Sequence, residues 1–470
     1  MEIYVMPSIL DGLNITKLAL SAQQYAMNVT QRNTVNVNNP GYTRQDVTFS
    51  DLTVPSNWSA SRTPGVDIWA VRNNYLDQSI SYELPALGEN LVKYSVLREI
   101  DAILQGTGGG GLGSSIAEFF DSFTELSSNP TNAALRWQVI SRADTMSRDF
   151  HRIYAEIQHV QSSANMHVIR GIEDVNNLTA KIADLNGRIE SAVTLGQKET
   201  EYALRDERQE CMEELQGKLG VLYFETEHGS YTITTMYGDA LVLGKTSYNL
   251  TFGDSSNPDS QFPDIYLGNK NITSIYNATL KETTVLLSGE IGGYLKVRDE
   301  LIPGYLNQLD DMAETIIDKV NAQHNLGVGI EDPPSAPNDF FNAFTSARNI
   351  EISSDIRNDP YKIAAALSGY GLADNQNAKL LAQIGIDEKF GEKYAELIYV
   401  VGSDQKRAKE TGENQQNLLG QLLGQRNAES SVSLNEEAIN LIKFQRAYQA
   451  SSRIVTVLNT LSAEILNFVG

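Results

Sequence analysis

Three histidines recur at eight-residue intervals, and this spacing decides whether they could share a metal ion. His151, His159 and His167 lie in a stretch whose apolar residues follow a helical period. Eight residues of α-helix rise about 12 Å, which is too far for neighbouring imidazoles to ligate one ion. We therefore interpret them as partly exposed helix residues and predict no metal site here.

The other residue types that could do chemistry also lack the patterns that catalysis or cofactor binding requires. Cys211 is the only cysteine, so no internal disulfide can form, and we interpret it as an inert helix thiol. Adjacent carboxylates such as Asp310 and Asp311 lie in a helical pattern, where neighbouring side chains point apart. The glycines at 108–111 are not followed by the Gly-Lys-Ser/Thr of a phosphate-binding loop. The sequence therefore predicts no catalytic residue, no cofactor and no enzymatic activity.

The acidic excess lies in the middle of the chain. The formal net charge is −22, yet residues 1–50 and 432–470 each carry three acidic and three basic side chains. A strongly negative chain is a poor partner for nucleic acid or an anionic membrane, and we expect neither. Neutral ends favour packing inside an assembly whose outer body stays soluble by repulsion. The alternative is that these helical ends simply contain few acids.

The last stretch, residues 431–470, predicts one long helix with two apolar stripes. Ser433 or Asn435 could cap it, and Glu436 and Glu437 suit the positive end of the helix dipole. The first stripe keeps a 4-3 spacing typical of a coiled coil and consists of Leu441, Phe444, Tyr448, Ser451, Val455, Leu458, Ser462, Ile465 and Val469. The second stripe consists of Ala447, Ala450, Ile454, Val457, Leu461 and Phe468. Two stripes on one helix predict contact with more than one neighbour.

The N-terminal stretch carries a matching stripe and ends at a turn. The 4-3 spacing recurs in Ile15, Leu18, Ala22, Tyr25 and Val29. The pattern stops at the segment Asn39-Pro40-Gly41-Tyr42, where Pro and Gly suit the central positions of a type II turn. We expect the two terminal helices to pair as a coiled coil and their stripes to form an assembly interface between subunits.

The region between the ends predicts a mainly α fold with a small inserted β domain. Apolar residues keep helical spacing through residues 139–189, and we expect this stripe to form a core within the chain. Between residues 222 and 288 the pattern changes to β-branched and aromatic residues with frequent turn residues. We predict an elongated molecule with three parts: a terminal coiled-coil domain of residues 1–50 and 431–470, a helical rod of residues 51–221 and 289–430, and a β domain of residues 222–288 that projects outward.

The two ends together resemble the axial proteins of the bacterial flagellum. That family closes its N-terminal helix with Asn-x-Asn-Thr-Pro-Gly-Tyr, here residues 36–42, and carries Gln-x-Ala-Tyr-Gln-Ala near the C-terminus, here residues 445–450. Thr43-Arg44-Gln45 and residues 434–438 are most similar to the hook-associated protein 1 family. The similarity continues at residues 65–68 and 321–324 and fails over residues 222–289. The family usually has Asn-Asn-Ile-Ala-Asn where this chain has residues 32–36.

The resemblance implies a structural component of the junction between the flagellar hook and filament, required for filament assembly. Implied partners are copies of the chain in a ring, hook protein, the next junction protein and a cytoplasmic export chaperone on the C-terminal helix. It also implies an extracellular location reached by type III export, because residues 1–30 lack the features of a cleaved signal peptide. The alternatives are a hook or distal-rod protein, which shares both end motifs, a secreted coiled-coil adhesin, and a secreted enzyme in the β insertion.

Overall fold

The computed structural model describes residues 9–39, 41–49, 65–106, 111–280, 282–330, 338–371 and 373–469, without the side chains at 9–11 and 465–469. The helices are α1 Ile9–Val35, α2 Asn74–Gln105, α3 Leu112–Ser128, α4 Ala133–Thr194, α5 Lys198–Lys218, α6 Gly289–Lys296, α7 Ile302–His324, α8 Ser354–Asn358, α9 Gln376–Asp387, α10 Phe390–Ser430 and α11 Leu434–Val469. A π-helical turn, Val297–Leu301, joins α6 to α7. The prediction of a mainly α fold is confirmed.

The strands form small antiparallel sheets. Their bounds are β1 Gln45–Phe49, β2 Val66–Ala70, β3 Val221–Glu225, β4 Tyr231–Thr235, β5 Ala240–Leu243, β6 Thr246–Ser247, β7 Leu250–Gly253, β8 Asp264–Leu267, β9 Lys270–Asn271, β10 Ser274–Asn277, β11 Glu282–Val285, β12 Gly327–Val328 and β13 Ala366–Leu367. The sheet orders are β1-β2, β3-β4-β5-β6, β7-β8-β9, β10-β11 and β12-β13. The residues predicted to be β-rich therefore supply three separate sheets.

The chain divides into two compact units, and each is built from separated stretches. The first unit contains residues 1–85, 174–249 and 415–470, and the second contains residues 86–173 and 250–414. The β-rich segment is divided between them, because β3–β6 belong to the first unit and β7–β11 to the second. The three-part division drawn from the sequence remains a prediction.

The first unit holds its four-stranded sheet against α4 and α5 through one buried arginine. Arg208 is fully buried, and its guanidinium lies 3.4 Å from the centre of the Tyr231 ring. It also donates to Asn186 Oδ1 over 2.8 Å, and Asn186 Nδ2 donates to the Tyr231 carbonyl over 2.9 Å. Ile233 and Val242 complete this contact as fully buried strand residues. A buried charge is tolerated here because hydrogen bonds and an aromatic face replace its hydration.

The second unit has a continuous apolar core formed by α3, α4, α7, α9 and α10. At its centre, the rings of Phe119, Phe123, Phe340 and Phe341 lie 4.9–5.9 Å apart between centroids. These separations suit edge-to-face packing of aromatic rings.

The stripe predicted on the longest helix is confirmed. All of its members are buried within the chain: Val139, Ala143, Met146, Phe150, Ile153, Ile157, Val160, Ala164, Val168, Ile172, Val175, Leu178, Ile182, Leu185 and Ile189. Their helix, α4, contributes residues to both units. The histidines lie on the other faces: His151 Nε2 donates a hydrogen bond to the Ile350 carbonyl over 2.9 Å, and the His167 ring stacks on the Tyr294 ring.

Candidate assembly interface

The first and last helices pair in antiparallel fashion within one chain. Near one end of the pair, a Cβ added at Gly12 would lie 3.4 Å from Leu458 Cδ1. Near the other end, Asn33 Nδ2 donates a hydrogen bond to Glu437 Oε1 over 3.0 Å. Residue numbers rise along α1 as they fall along α11, so the two helices run in opposite directions. The predicted pairing of the chain ends is confirmed.

The stripe on α1 is largely covered by this pairing and by the β1–β2 ribbon. Leu18, Ala22 and Val29 are buried, and Tyr25 is half-buried. Ile15 is the exposed member of the stripe. The small Ala22 lets the backbones approach, as small residues do at helix contacts. Most of this stripe is therefore covered within the chain itself.

The first stripe of α11 is only partly covered. Phe444 is buried, with its ring centre 5.9 Å from that of Phe49 on β1. Leu441, Val455 and Leu458 are half-buried, whereas Tyr448 is exposed. The predicted stripe residue Ile465 lies among the residues whose side chains are not described. The coverage thus decreases from the start of the helix towards its end.

The second stripe of α11 is mostly exposed: Ala447 is half-buried, but three of its larger members are exposed. Ile454 is 50% exposed, Val457 57% and Leu461 43%. Two residues that the sequence interpretation missed extend this face towards the start of the helix: Ile439 at 65% and Ile442 at 51%. Ile439 and Ile442 connect to Ile454 by three- and four-residue steps through Arg446 and Ala450. This spacing, interrupted by the charged Arg446, could have identified them from the sequence. We call this face the exposed second stripe; contiguous exposed apolar side chains of this kind mark interaction sites when the patch is large.

The turn after α1 is closed by its own backbone and by Asn33. The Tyr42 amide donates to the Asn39 carbonyl over 3.1 Å, and the Gly41 amide donates to Asn39 Oδ1 over 3.3 Å. The Tyr42 hydroxyl donates to Asn33 Oδ1 over 2.8 Å. Burial raises the pKa of this phenol to about 12. Asn39, Gly41 and Tyr42 are thus linked by hydrogen bonds, whereas Pro40 lies outside the described residues and the turn type stays a prediction.

Asn33 connects the turn, the first strand and the last helix. Its Oδ1 accepts the Gln45 amide over 3.1 Å, and its Nδ2 donates to the Gln45 carbonyl over 2.8 Å. Its second bond through Nδ2 goes to Glu437, which is buried. Burial raises the pKa of the Glu437 carboxyl, while the Asn33 bond favours the charged form. A single amide therefore fixes the register of α1 against α11.

One ion pair and several hydrogen bonds hold this junction together and join it to α5. Arg44 pairs with Glu436 over 2.7 Å, and its amide donates to the Ser430 carbonyl over 3.0 Å. Asp206 on α5 accepts from the Thr43 amide over 3.0 Å and from its hydroxyl over 2.7 Å. Burial raises the pKa of the Asp206 carboxyl, and these donors oppose the shift. The terminal helices are thus anchored at their junction end, and the far end lacks comparable polar anchors among the described residues.

The other residues singled out by the sequence have structural roles. Asn321 accepts the Phe340 and Phe341 amides over 2.9 Å each, which secures the chain after α7. His324 is fully buried, accepts the Ala364 amide at Nε2 over 2.9 Å and donates from Nδ1 to the Asn338 carbonyl over 2.7 Å. Burial raises the pKa of the Cys211 thiol, which keeps it in its unreactive form.

The described part of the chain contains no cluster of metal-ligating side chains large enough to hold an ion. Within the same residues, no helix is both long and apolar enough to cross a membrane.

Comparison with known families identifies the fold. A model of the flagellar hook-associated protein FlgK helical domain matches residues 97–341, which is more than half of the chain. The chain belongs to the FlgK family. A model of the C-terminal part of the flagellar basal body rod FlgEFG proteins also matches, but only over residues 425–468. That match corresponds to α11 and the end of α10, which agrees with end motifs shared among axial proteins.

Whole-chain relatives carry the FlgK description as well. The flagellar hook-associated protein 1 of Bacillus subtilis is 26% identical over 508 residues, covering 99% of this chain and 99% of the relative. Those of Salmonella typhimurium and Escherichia coli are 23% and 22% identical, each covering 97% of this chain and 99% of the relative. The solved FlgK structure of Burkholderia pseudomallei aligns over 57% of this chain and 46% of its own, with a TM-score of 0.48 and 22% identity. A structural role associated with the flagellar hook follows from the family.

Proposed function

We propose that this FlgK-family chain forms the junction between hook and filament and is required for filament assembly. The observation that carries the proposal is the exposed second stripe of α11, because an apolar face left uncovered by its own chain favours burial against other subunits. The first stripe of the same helix packs on α1. One helix therefore has a face for folding and a face for assembly.

The energetics support a subunit interface on this face. Burying one Leu, Ile or Val side chain is worth about 1.5–3 kcal/mol. Ile439, Ile442, Ile454, Val457 and Leu461 are 43–65% exposed, so each would add only part of that free energy in the assembly. In a ring this free energy recurs in every copy. A small contribution from each side chain therefore adds up to a stable assembly. The neutral charge of both chain ends removes the repulsion that the acidic body would otherwise impose on close packing.

The proposed partners follow from this role. Copies of the chain form a ring through the terminal helices, hook protein lies on one side and the next junction protein on the other. Before export, a cytoplasmic chaperone covers the C-terminal helix, whose exposed stripe would otherwise promote aggregation. The mature position is the extracellular flagellum. The protein has no catalytic role in this account.

A hook or distal-rod role is the second candidate, since the C-terminal segment also matches rod proteins. A strain lacking the gene separates the two. Loss of a junction protein leaves completed hooks without filaments and filament protein in the medium, and the intact gene restores filaments. Loss of a hook or distal-rod protein leaves no completed hook, so that result would contradict the proposal.

A further inference from the structure

A cavity of about 580 Å³ opens in the second unit. It lies between α4, the π-helical turn and the segment that joins β7 to β8. Its volume falls in the range of sites that hold small molecules, about 300–1,000 Å³. π-helical turns are rare and occur frequently at functional sites. The cavity is therefore a candidate ligand site that the assembly role does not use.

At the base of the cavity, a buried arginine is held by hydrogen bonds and its charge is neutralised by an adjacent carboxylate. Arg298 is almost fully buried and donates from Nε and Nη2 to the two Asp299 oxygens over 2.7 and 2.8 Å. Its Nη1 donates to Asn165 Oδ1 over 2.7 Å, and Gln161 donates to the Arg298 carbonyl over 2.7 Å. The Phe262 ring lies 5.4 Å from the guanidinium. Because this cation is already paired, the cavity has no free positive charge to hold an anion.

The rim of the cavity carries polar side chains that are free to bind. Gln261 and Asn307 are exposed, and neither amide has a hydrogen-bond partner among the residues described by the structure. The Asp259 carboxylate is likewise without an ion pair in the described part of the chain. Amides offer a donor and an acceptor side by side, which matches a hydroxyl group that can do both.

Aromatic rings supply the apolar part of the lining. Tyr154, Phe262 and Tyr276 all border the cavity and are half-buried, so their rings are held by the fold and still reachable. Aromatic side chains provide a large rigid apolar surface, and tyrosine adds a hydroxyl. A lining of aromatic surfaces, amides and a single free carboxylate fits a ligand with an apolar ring face and many hydroxyls.

We propose that this cavity binds a neutral saccharide. The aromatic side chains would pack against the C–H face of a sugar ring, while Gln261, Asn307 and Asp259 would bind its hydroxyls. An acidic sugar would find no free cation, and a cationic ligand would find one free carboxylate among mostly neutral groups. The inference does not depend on the junction role, since it concerns a different part of the chain.

Saturation-transfer NMR on the full-length protein tests this proposal. The probes are methyl glucoside, methyl galactoside and N-acetylglucosamine at millimolar concentration, with glucuronate and arginine amide as charged comparisons. We expect transfer to at least one neutral sugar and to neither charged probe. No transfer to any neutral sugar, or transfer to arginine amide alone, overturns the proposal.

Paired variants locate the binding. The double variant Gln261→Ala and Asn307→Ala should weaken sugar binding about tenfold, which corresponds to about 1.4 kcal/mol, because the hydrogen bonds of both amides to the sugar hydroxyls are lost. Gln308→Ala is the matched control, because Gln308 is an exposed neighbour on α7 that does not border the cavity. An unchanged melting temperature in both variants shows that the fold is intact. Equal binding by the double variant and the control would place the sugar elsewhere and overturn the proposal.

Discussion

Asn33 on the first helix donates a hydrogen bond to Glu437 on the last helix, across 404 positions of sequence. The same amide serves the Gln45 backbone and the Tyr42 hydroxyl. A long loop must be closed before this contact can form, and loop closure opposes it entropically. The two ends of the chain are therefore held together at one polar junction. Beyond it, α1 and α11 pair through apolar contacts that only partly bury the side chains of α11.

Replacing that amide should loosen the chain ends selectively. Asn33→Ala leaves the buried Glu437 carboxylate and the Gln45 backbone without their partner, which should cost about 2–4 kcal/mol. Hydrogen exchange measures the effect, and we expect faster exchange in α1 and α11 with unchanged exchange in the core of the second unit. Asn28→Ala, an exposed substitution on the same helix, should leave exchange unaltered. Equal protection in both variants would refute the role assigned to Asn33.

The far part of the last helix should be the least stable helix of the free monomer. Its second stripe is exposed and its first stripe is half-covered, so packing contributes little there, and isolated helical turns are marginal in water. Hydrogen exchange on wild-type monomer should show fast exchange at residues 450–464 and slow exchange at residues 139–160. Comparable protection in the two stretches would contradict this expectation.

The buried histidine should make folding stability depend on pH. Burial lowers the pKa of His324 to about 4, from an ordinary value of 6.5. As the pH falls, the unfolded chain therefore binds the proton first. The contribution of His324 is fully present above pH 6.5 and is lost progressively between pH 6.5 and 4. The full loss corresponds to about 3 kcal/mol.

Urea unfolding of His324→Gln checks the sign of this dependence. The stability advantage of the wild type over the variant should shrink by about 2–3 kcal/mol as the pH falls from neutral to about 4. The control is His159→Gln, which makes the same substitution at an exposed position on α4. A wild-type advantage that grows towards acid pH would show that the assigned shift has the wrong sign.

Helix periodicity predicted the self-contained core well and the helix-pair geometry poorly. Every member of the stripe at residues 139–189 is buried, because an apolar period on a long helix is fixed by its own sequence. The antiparallel register of α1 on α11 depends on contacts such as Asn33 with Glu437, which link distant positions. Ile439 and Ile442 escaped notice because Arg446 interrupts their stripe.

Buried polar residues were also invisible to pattern reading. Charged and polar side chains such as Arg208, Arg298 and His324 are mostly exposed in proteins, yet each of these three is buried and bonded to partners from separate segments. Such burial depends on the final fold, since a charge is stable inside only when its partners arrive together. The turn at residues 39–42, in contrast, could be predicted from the sequence, because its residue pattern lies within four consecutive positions.

In the proposed assembly, the exposed second stripe of α11 joins subunits, whereas the first stripe packs within the chain. Val457 is exposed, whereas the neighbouring Leu458 contacts Gly12 on α1. Val457→Asp should therefore fold and retain the helix pair, while Leu458→Asp should also disturb that pair. Asn459→Asp adds the same charge at an exposed position outside both stripes and serves as the control.

The most direct measurement adds each purified variant to hooks that lack this protein and then supplies the downstream junction and filament proteins. Wild type and Asn459→Asp should support filament growth, counted by electron microscopy. Val457→Asp should leave bare hooks although it is soluble and melts like the wild type, because burying an unpaired carboxylate costs several kcal/mol in every subunit. Normal filaments growing from hooks treated with Val457→Asp would contradict the account.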